Sequence, residues 1–172
     1  MSVVIETPRL SLRELTLDDL DFVAEMWAHP EVMRFYPKLY SRQESKEGIE
    51  KQLARYEKDG HGFWLVEEMA TGEPVGEVGL LMQKVDGESL PEVGYLIHRP
   101  YWRRGYAAEA AAAVRDWGFK VKKAERLISL IRPLNLPSQG VAKKNGMKPW
   151  KMMIMAGMDH VVFSMTKGEW DV

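Results

Sequence analysis

The chain has 172 residues, a formal net charge of −1 and no cysteine. Near-balanced charge excludes the basic excess of a nucleic-acid binder, and the missing cysteine excludes disulfides, thiolate metal sites and a cysteine acyl-enzyme. No apolar run approaches a membrane span and the N-terminus lacks a charged-then-apolar signal pattern, so one soluble, cytoplasmic domain without membrane partners is expected.

In chain order, residues 5–15 read as a strand, with Leu10 and Leu12 on one face. Thr16 is a helix N-cap, with Asp18 and Asp19 at the positive end of the helix dipole. Leu20, Val23 and Trp27 recur at helical spacing, and His29-Pro30 stops that helix. An irregular aromatic segment over 31–40 follows, and Ser41 with Glu44 forms a capping box. The next helix carries Ile49, Leu53 and Tyr56 and breaks at Lys58-Asp59-Gly60. Strands are predicted over 63–68 and 75–82, joined by a hairpin loop at 70–73. A polar loop over 84–89 leads to a third strand, 92–97. A long alanine-rich helix comes next, with Ala110, Val114, Trp117 and Val121 as its buried stripe. Residues 127–131 are nearly all apolar, as in a central strand covered on both faces. A short helix after Asn135 closes at Asn145-Gly146. Two tail strands, 150–155 and 160–165, carry methionines that read as core filling or a dimer surface.

The junction between the 92–97 strand and the alanine-rich helix is the most informative stretch. The first amides of a helix have no partner inside it and sit at its positive end, which makes them an anion site. Gly105 permits a tight turn, Ala107 and Ala108 leave the first turn uncluttered, and Arg103 and Arg104 add positive charge. The chemistry suggested is a pyrophosphate on bare backbone amides.

The segment 127–147 (LISLIRPLNLPSQGVAKKNGM) resembles the strand–Asn-x-x-Ser–helix–Gly motif of the GNAT superfamily of N-acetyltransferases. Gly105-Tyr106-Ala107-Ala108-Glu109-Ala110 is similar to its partner motif. Glu6-Thr7-Pro8-Arg9-Leu10 and Val93-Gly94-Tyr95-Leu96-Ile97-His98 look like the branch that acetylates ribosomal-protein N-termini. The resemblance spans essentially the whole chain. It implies an α/β acyl-CoA N-acyltransferase fold: a mixed, strongly bent sheet of six to seven strands flanked by helices.

It also implies acetyl-CoA as co-substrate, its pantetheine arm in the gap where two strands splay. Backbone groups near Ile97 then hold the arm and polarise the thioester carbonyl. Arg104, Gly105, Tyr106, Ala107 and Ala108 cradle the pyrophosphate. Asn135 meets the pantetheine amides or merely caps its helix, and Lys144 meets the nucleotide phosphates or is a solvated charge. Ser138 matches the serine that stabilises or protonates the leaving thiolate. Ala142 stands where other branches place a tyrosine general acid, which leaves that task to Ser138.

A neutral amine must attack the thioester. An α-amine with a pKa of about 7.7–8.0 needs less help to lose its proton than a lysine side chain near about 10.4. Glu92 is the first candidate for general base, with Glu77 and His98 behind it. The acceptor is expected to be a protein N-terminal α-amine or a small-molecule amine. Arg34, Phe35, Tyr36 and Trp64 suggest its pocket, an aromatic wall with one positive charge. A non-catalytic acyl-CoA sensor is the rival reading, and both monomer and homodimer remain open. No phosphate-binding P-loop, Gly-x-Gly-x-x-Gly fingerprint or Gly-x-Ser-x-Gly elbow occurs, and the four histidines lack metal-ligand spacing.

Overall fold

In the computed structural model, which describes residues 3–172, the single strand expected over 5–15 is a hairpin, β1 (Val3–Glu6) and β2 (Leu10–Glu14). Pro8 has no amide hydrogen to continue a ladder. Thr7 closes the turn by accepting from the Leu10 amide at 3.0 Å and donating its own amide to the Leu10 carbonyl at 2.9 Å. The sheet therefore gains an eighth strand beyond the six or seven expected.

Thr16 caps as expected, but it first opens a 3-10 turn, Leu17–Asp19, before α1 (Leu20–Trp27). Ser41 and Glu44 form the reciprocal capping box of α2 (Arg42–Asp59), which stops at Gly60 with φ +81°. Strand β3 (Phe63–Glu68) matches its expected bounds. Strands β4 (Pro74–Val85) and β5 (Glu88–Ile97) are longer than expected, because the polar loop over 84–89 is a two-residue turn. Asp86 and Gly87 both have positive φ (51° and 82°), the conformation in which Asp-Gly closes hairpins.

Next come α3 (Tyr106–Lys120), β6 (Arg126–Ile131) and α4 (Leu136–Lys144). The tail forms β7 (Lys148–Met155), β8 (Met158–Thr166) and a short α5 (Lys167–Trp170) that periodicity did not reveal. Val121 leaves the expected stripe of α3: it lies past the helix end and is exposed, while Ala111, Gly118 and Phe119 are buried instead.

The strands run in the order β1-β2-β3-β4-β5-β6-β8-β7, with every neighbouring pair antiparallel except β5 and β6. Alternation assigns each residue to a face. Leu10, Leu12, Trp64, Val66, Val78, Leu80, Val93 and Leu127 pack with Ala110, Ala111 and Val114 of α3. Leu65, with Phe63 and Leu96 beside it, packs on the opposite face against Val23, Met26 and Trp27 of α1 and Ile49 of α2. The two helices of that face approach closely at Gly48, where a Cβ would lie 2.3 Å from the Trp27 ring. Among the described residues no helix is long and apolar enough to cross a membrane.

Candidate active site

Strands β5 and β6 are paired at one position, Glu92 opposite Ile128. The Ser129 hydroxyl donates to the Val93 carbonyl at 2.7 Å, and past this point the ladder is not continued. The strands are parallel, so their C-terminal ends, and the helices α3 and α4 that follow them, lie at the same end of the opening. Crevices at the C-terminal ends of parallel strands are where α/β sheets bind ligands. A cleft of about 350 Å³ occupies the opening and continues over the face covered by α1 and α2.

The turn before α3 has the conformation expected of an anion cradle. Arg103 and Gly105 both have positive φ (63° and 79°), and Gly105 is the N-cap of α3 without a side-chain cap. The first-turn amides of Tyr106, Ala107 and Ala108 are consequently available to a ligand. Arg104 is half-exposed, 3.8 Å from Glu68 and 5.5 Å from the Tyr101 ring centre.

A polar network supports this turn. Glu109 accepts from the Thr7 hydroxyl (2.6 Å), the Arg9 amide (3.0 Å) and Arg9 Nε (2.7 Å). The Tyr106 hydroxyl donates to Glu68, and the Arg9 guanidinium lies 4.6 Å from the centre of the Tyr106 ring. Burial acts to raise the Glu109 pKa, but the bonds from Thr7 and Arg9 hold it below the ordinary carboxylate value. The two sequence signatures around Thr7 and Glu109 are thus one structural unit, a pairing that spacing along the chain could not reveal.

Ile97 ends β5 with its side chain in the α3 core, and its carbonyl accepts from the Trp102 indole at 2.7 Å. Its neighbours Val93, Gly94, Tyr95 and Leu96 line the cleft. On the other bank, Asn135 is the N-cap of α4 and accepts from the Ser138 amide at 3.3 Å. The Ser138 carbonyl accepts from the Tyr95 hydroxyl at 2.6 Å, so Tyr95 spans the opening from β5 to α4. Asn135 and Ser138 both line the cleft, whereas Lys144 is exposed in the last turn of α4.

Two buried carboxyls face the cleft from the α1–α2 side. Glu92, where the strands part, accepts from Gln83 Nε2 at 3.0 Å and from the Leu130 amide at 2.9 Å. Burial raises its pKa to about 7 despite those bonds. Glu77 accepts from the Trp27 indole at 2.9 Å, while its second oxygen has no hydrogen-bond partner among the described residues. Burial raises the Glu77 pKa to about 8. His98 is not among the cleft residues: it packs edge-on against Phe22 and His29, 3.3 Å from Glu25, and burial lowers its pKa.

The expected acceptor pocket is partly redrawn. Phe35 and Tyr36 line the cleft, but Arg34 does not and instead lies over the Phe35 ring. Trp64 is fully buried beneath α3, edge-to-face with Trp117 at 5.0 Å, so it belongs to the core. One residue of strand parity separates it from Phe63, which does line the cleft. The cations at the cleft are Lys51 and Arg55 of α2 together with Arg132 after β6. Gly48, Lys51, Gln52 and Arg55 share one helix face at i, i+3, i+4 and i+7, a spacing visible in the sequence as a polar stripe.

The Acetyltransferase (GNAT) domain model matches residues 9–148, and the chain belongs to the GNAT acetyltransferase family. It is 32% identical over 142 residues to the uncharacterized protein YkkB of Bacillus subtilis, covering 82% of this chain and 83% of that one. YnaD of the same organism, an uncharacterized N-acetyltransferase, is 28% identical, with 97% and 99% covered. The crystal structure of an acetyltransferase from Agrobacterium tumefaciens matches with a TM-score of 0.83 at 29% identity, over 96% of this chain and 95% of that one. The family's reaction is the transfer of an acetyl group from acetyl-CoA. The open β5–β6 gap and the bare first turn of α3 suit an extended pantetheine arm and a pyrophosphate.

Proposed function

We propose that this protein is an N-acetyltransferase in which a primary amine, entering from the α1–α2 face, directly attacks the thioester of acetyl-CoA. The observation that carries this reading is the pair of buried carboxyls, Glu77 and Glu92, on the acceptor side of a strand opening that has α3 and α4 at its end. Acetyl-CoA supplies an activated acetyl group and a thiolate leaving group.

The chain's own residues bind, orient and move a proton. Arg104, Gly105, Tyr106, Ala107 and Ala108 take the pyrophosphate on backbone amides and one guanidinium. Backbone groups around Ile97, Asn135 and the exposed Lys144 hold the rest of the coenzyme. Glu92 is the general base: with a pKa near that of an α-ammonium, about 7.7–8.0, it can accept the amine's proton at little cost. The Ser138 hydroxyl steadies the departing sulfur. A second assignment, Glu77 as base, is favoured by its unpartnered oxygen and its higher pKa. The acceptor wall is Phe35 and Tyr36; Arg34 lies over the Phe35 ring and outside the cleft lining. The sequence resemblance to the ribosomal-protein branch supports an α-amine as the nucleophile.

The first test is thermal melting of the full chain with acetyl-CoA, using ATP and NAD as controls. A ligand at about 100-fold excess over its Kd stabilises a folded protein by roughly 2.7 kcal/mol. A shift specific to acetyl-CoA, followed by turnover in a panel of primary amines, is the expected result. No shift at millimolar acetyl-CoA overturns the transferase reading, and a shift without turnover of any amine leaves an acyl-CoA sensor.

A further inference from the structure

Among the cleft's charged groups, two have no visible partner. Neither Arg55 nor Lys51 makes a hydrogen bond or ion pair with another described residue, although both belong to the helix that walls the acceptor side. Their neighbours on α2 are engaged: Gln52 accepts from the Phe63 amide at 2.9 Å, and the Tyr56 hydroxyl is bonded to Leu15 and Phe63. Helix α2 is thus bound to β3 by Gln52 and Tyr56, and it holds an unused guanidinium over the cleft. The third cation, Arg132, is occupied by the Asp159 carbonyl at 3.1 Å and by Met158.

Arg55 is half-buried, where a cation without a direct hydrogen-bonded partner is incompletely compensated for its lost hydration. Its field reaches both Glu77 and Glu92 and favours their ionised forms. Yet burial keeps both carboxyls well above their ordinary value, so near neutral pH the pair carries less than its full negative charge. The acceptor side of the cleft therefore has surplus positive charge at its α2 wall and proton-accepting carboxyls on the sheet opposite.

We infer that the acceptor is a small primary amine that carries its own carboxylate or phosphate, which Arg55, assisted by Lys51, binds while the amine faces the sheet. This rests on the transferase reading above and narrows it. A guanidinium presents a planar fork suited to two oxygens of such a group. Arg55 lies near enough to Glu77 and Glu92 for its field to act on both, so the anionic group it binds and the amine that faces those carboxyls sit close together in the acceptor. Arg55, rather than Arg34, is then the specificity-determining cation.

The test uses the full chain saturated with coenzyme A and amine pairs that differ by the anionic group: phenylalanine against phenethylamine, and phosphoethanolamine against ethanolamine. An alanine-initiated tetrapeptide amide serves as the protein N-terminus arm. Thermal shift reads binding, and release of free thiol from acetyl-CoA reads turnover. At least one anionic member is expected to bind and react at least about 10-fold better than its neutral partner, equivalent to about 1.4 kcal/mol. The pair that shows this separates a carboxylate from a phosphate. Arg55→Ala should bring the ratio to within about 2-fold, and Arg55→Lys should restore part of it. The shift produced by coenzyme A alone should be the same in all three proteins.

Neutral amines or the peptide amide outperforming every anionic amine overturns the inference, as does a preference that survives Arg55→Ala combined with Lys51→Ala. Loss of the coenzyme A shift in the wild-type chain is a different failure, that of the transferase reading itself.

Discussion

The proposed coenzyme bank, the turn before α3 beyond the lining of the cleft, and the proposed acceptor bank beside α2 are built on different principles. On the coenzyme bank, the turn at 101–105 is braced by side chains that satisfy one another, Thr7 and Arg9 with Glu109 and Tyr106 with Glu68. What it offers a ligand is backbone. On the acceptor bank, strands β4 and β5 and helix α2 offer side chains, several of them incompletely satisfied: the second oxygen of Glu77, the Arg55 guanidinium and the Lys51 ammonium. A satisfied network favours one rigid shape, whereas buried groups lacking partners are costly until a ligand completes them. The contrast suits a constant coenzyme on one side and a selected acceptor on the other.

The largest expected effect falls on the acceptor bank. Glu92→Gln keeps the shape and an oxygen to accept from the Leu130 amide, with the Gln83 amide turned over to accept from the new NH2, but removes the proposed base. It should lower kcat/KM on the order of 10²- to 10⁴-fold and abolish the rise in rate through pH 7, while the acetyl-CoA-induced melting shift persists. A near-normal rate for Glu92→Gln, with that loss appearing in Glu77→Gln, transfers the role to Glu77.

Trp64→Ala tests whether strand parity divides core from pocket. It should destabilise the fold by about 3–5 kcal/mol in denaturant titration, with KM for the acceptor little changed. A selective rise in acceptor KM at modest stability cost returns Trp64 to the pocket.

On the coenzyme bank, Glu109→Ala removes the acceptor of three hydrogen bonds. It should lower stability by about 1–3 kcal/mol and weaken acetyl-CoA binding, measured calorimetrically, through misplacement of the turn. Unchanged coenzyme affinity would show that the network serves stability alone. Smaller still, Ser138→Ala should cut turnover by about 10-fold, equivalent to about 1.4 kcal/mol, while leaving acetyl-CoA affinity within about 2-fold. A normal turnover number removes Ser138 from the mechanism.

The two banks also differ in their response to pH. Glu77 and Glu92 bind protons more tightly folded than unfolded, so the stability they contribute is complete below about 4.5 and is lost as pH rises through about 7 and 8. Glu109 is shifted the other way: its contribution is present above the ordinary carboxylate value and is lost as pH falls through its depressed folded pKa. In the ligand-free chain Glu77→Gln should flatten the alkaline decline in melting temperature, and Glu109→Gln should flatten the acid one. The opposite assignment of the two slopes would sink the electrostatic contrast between the banks.

Much of the fold could be read locally. The Ser41–Glu44 capping box, the bounds of β3, the stop at Asn145-Gly146 and the left-handed Gly105 all depend on residues within a few positions of each other. Errors arose where local signals competed. Alternation of Leu10 and Leu12 concealed the Thr7-Pro8 turn, and charge over 84–89 concealed an Asp86-Gly87 hairpin. In the candidate site, Phe35, Tyr36, Glu92, Asn135 and Ser138 all line the cleft, but Trp64, Arg34, Lys144, Ile97 and the turn residues Arg104, Gly105, Tyr106, Ala107 and Ala108 do not.

By itself the sequence determined the alternation of helix and strand, the tight glycine turn before α3 and the family to which the chain belongs, because caps, turns and motifs are short-range and written in contiguous residues. Only the tertiary structure decided that Phe63 rather than Trp64 meets the cleft, that Lys51, Arg55 and Arg132 rather than Arg34 are its cations, and that Glu109 is bound to Thr7 and Arg9. Those choices depend on sheet register and on contacts between residues up to 102 positions apart. Register fixes which face a side chain occupies, and a shift of one residue reverses it.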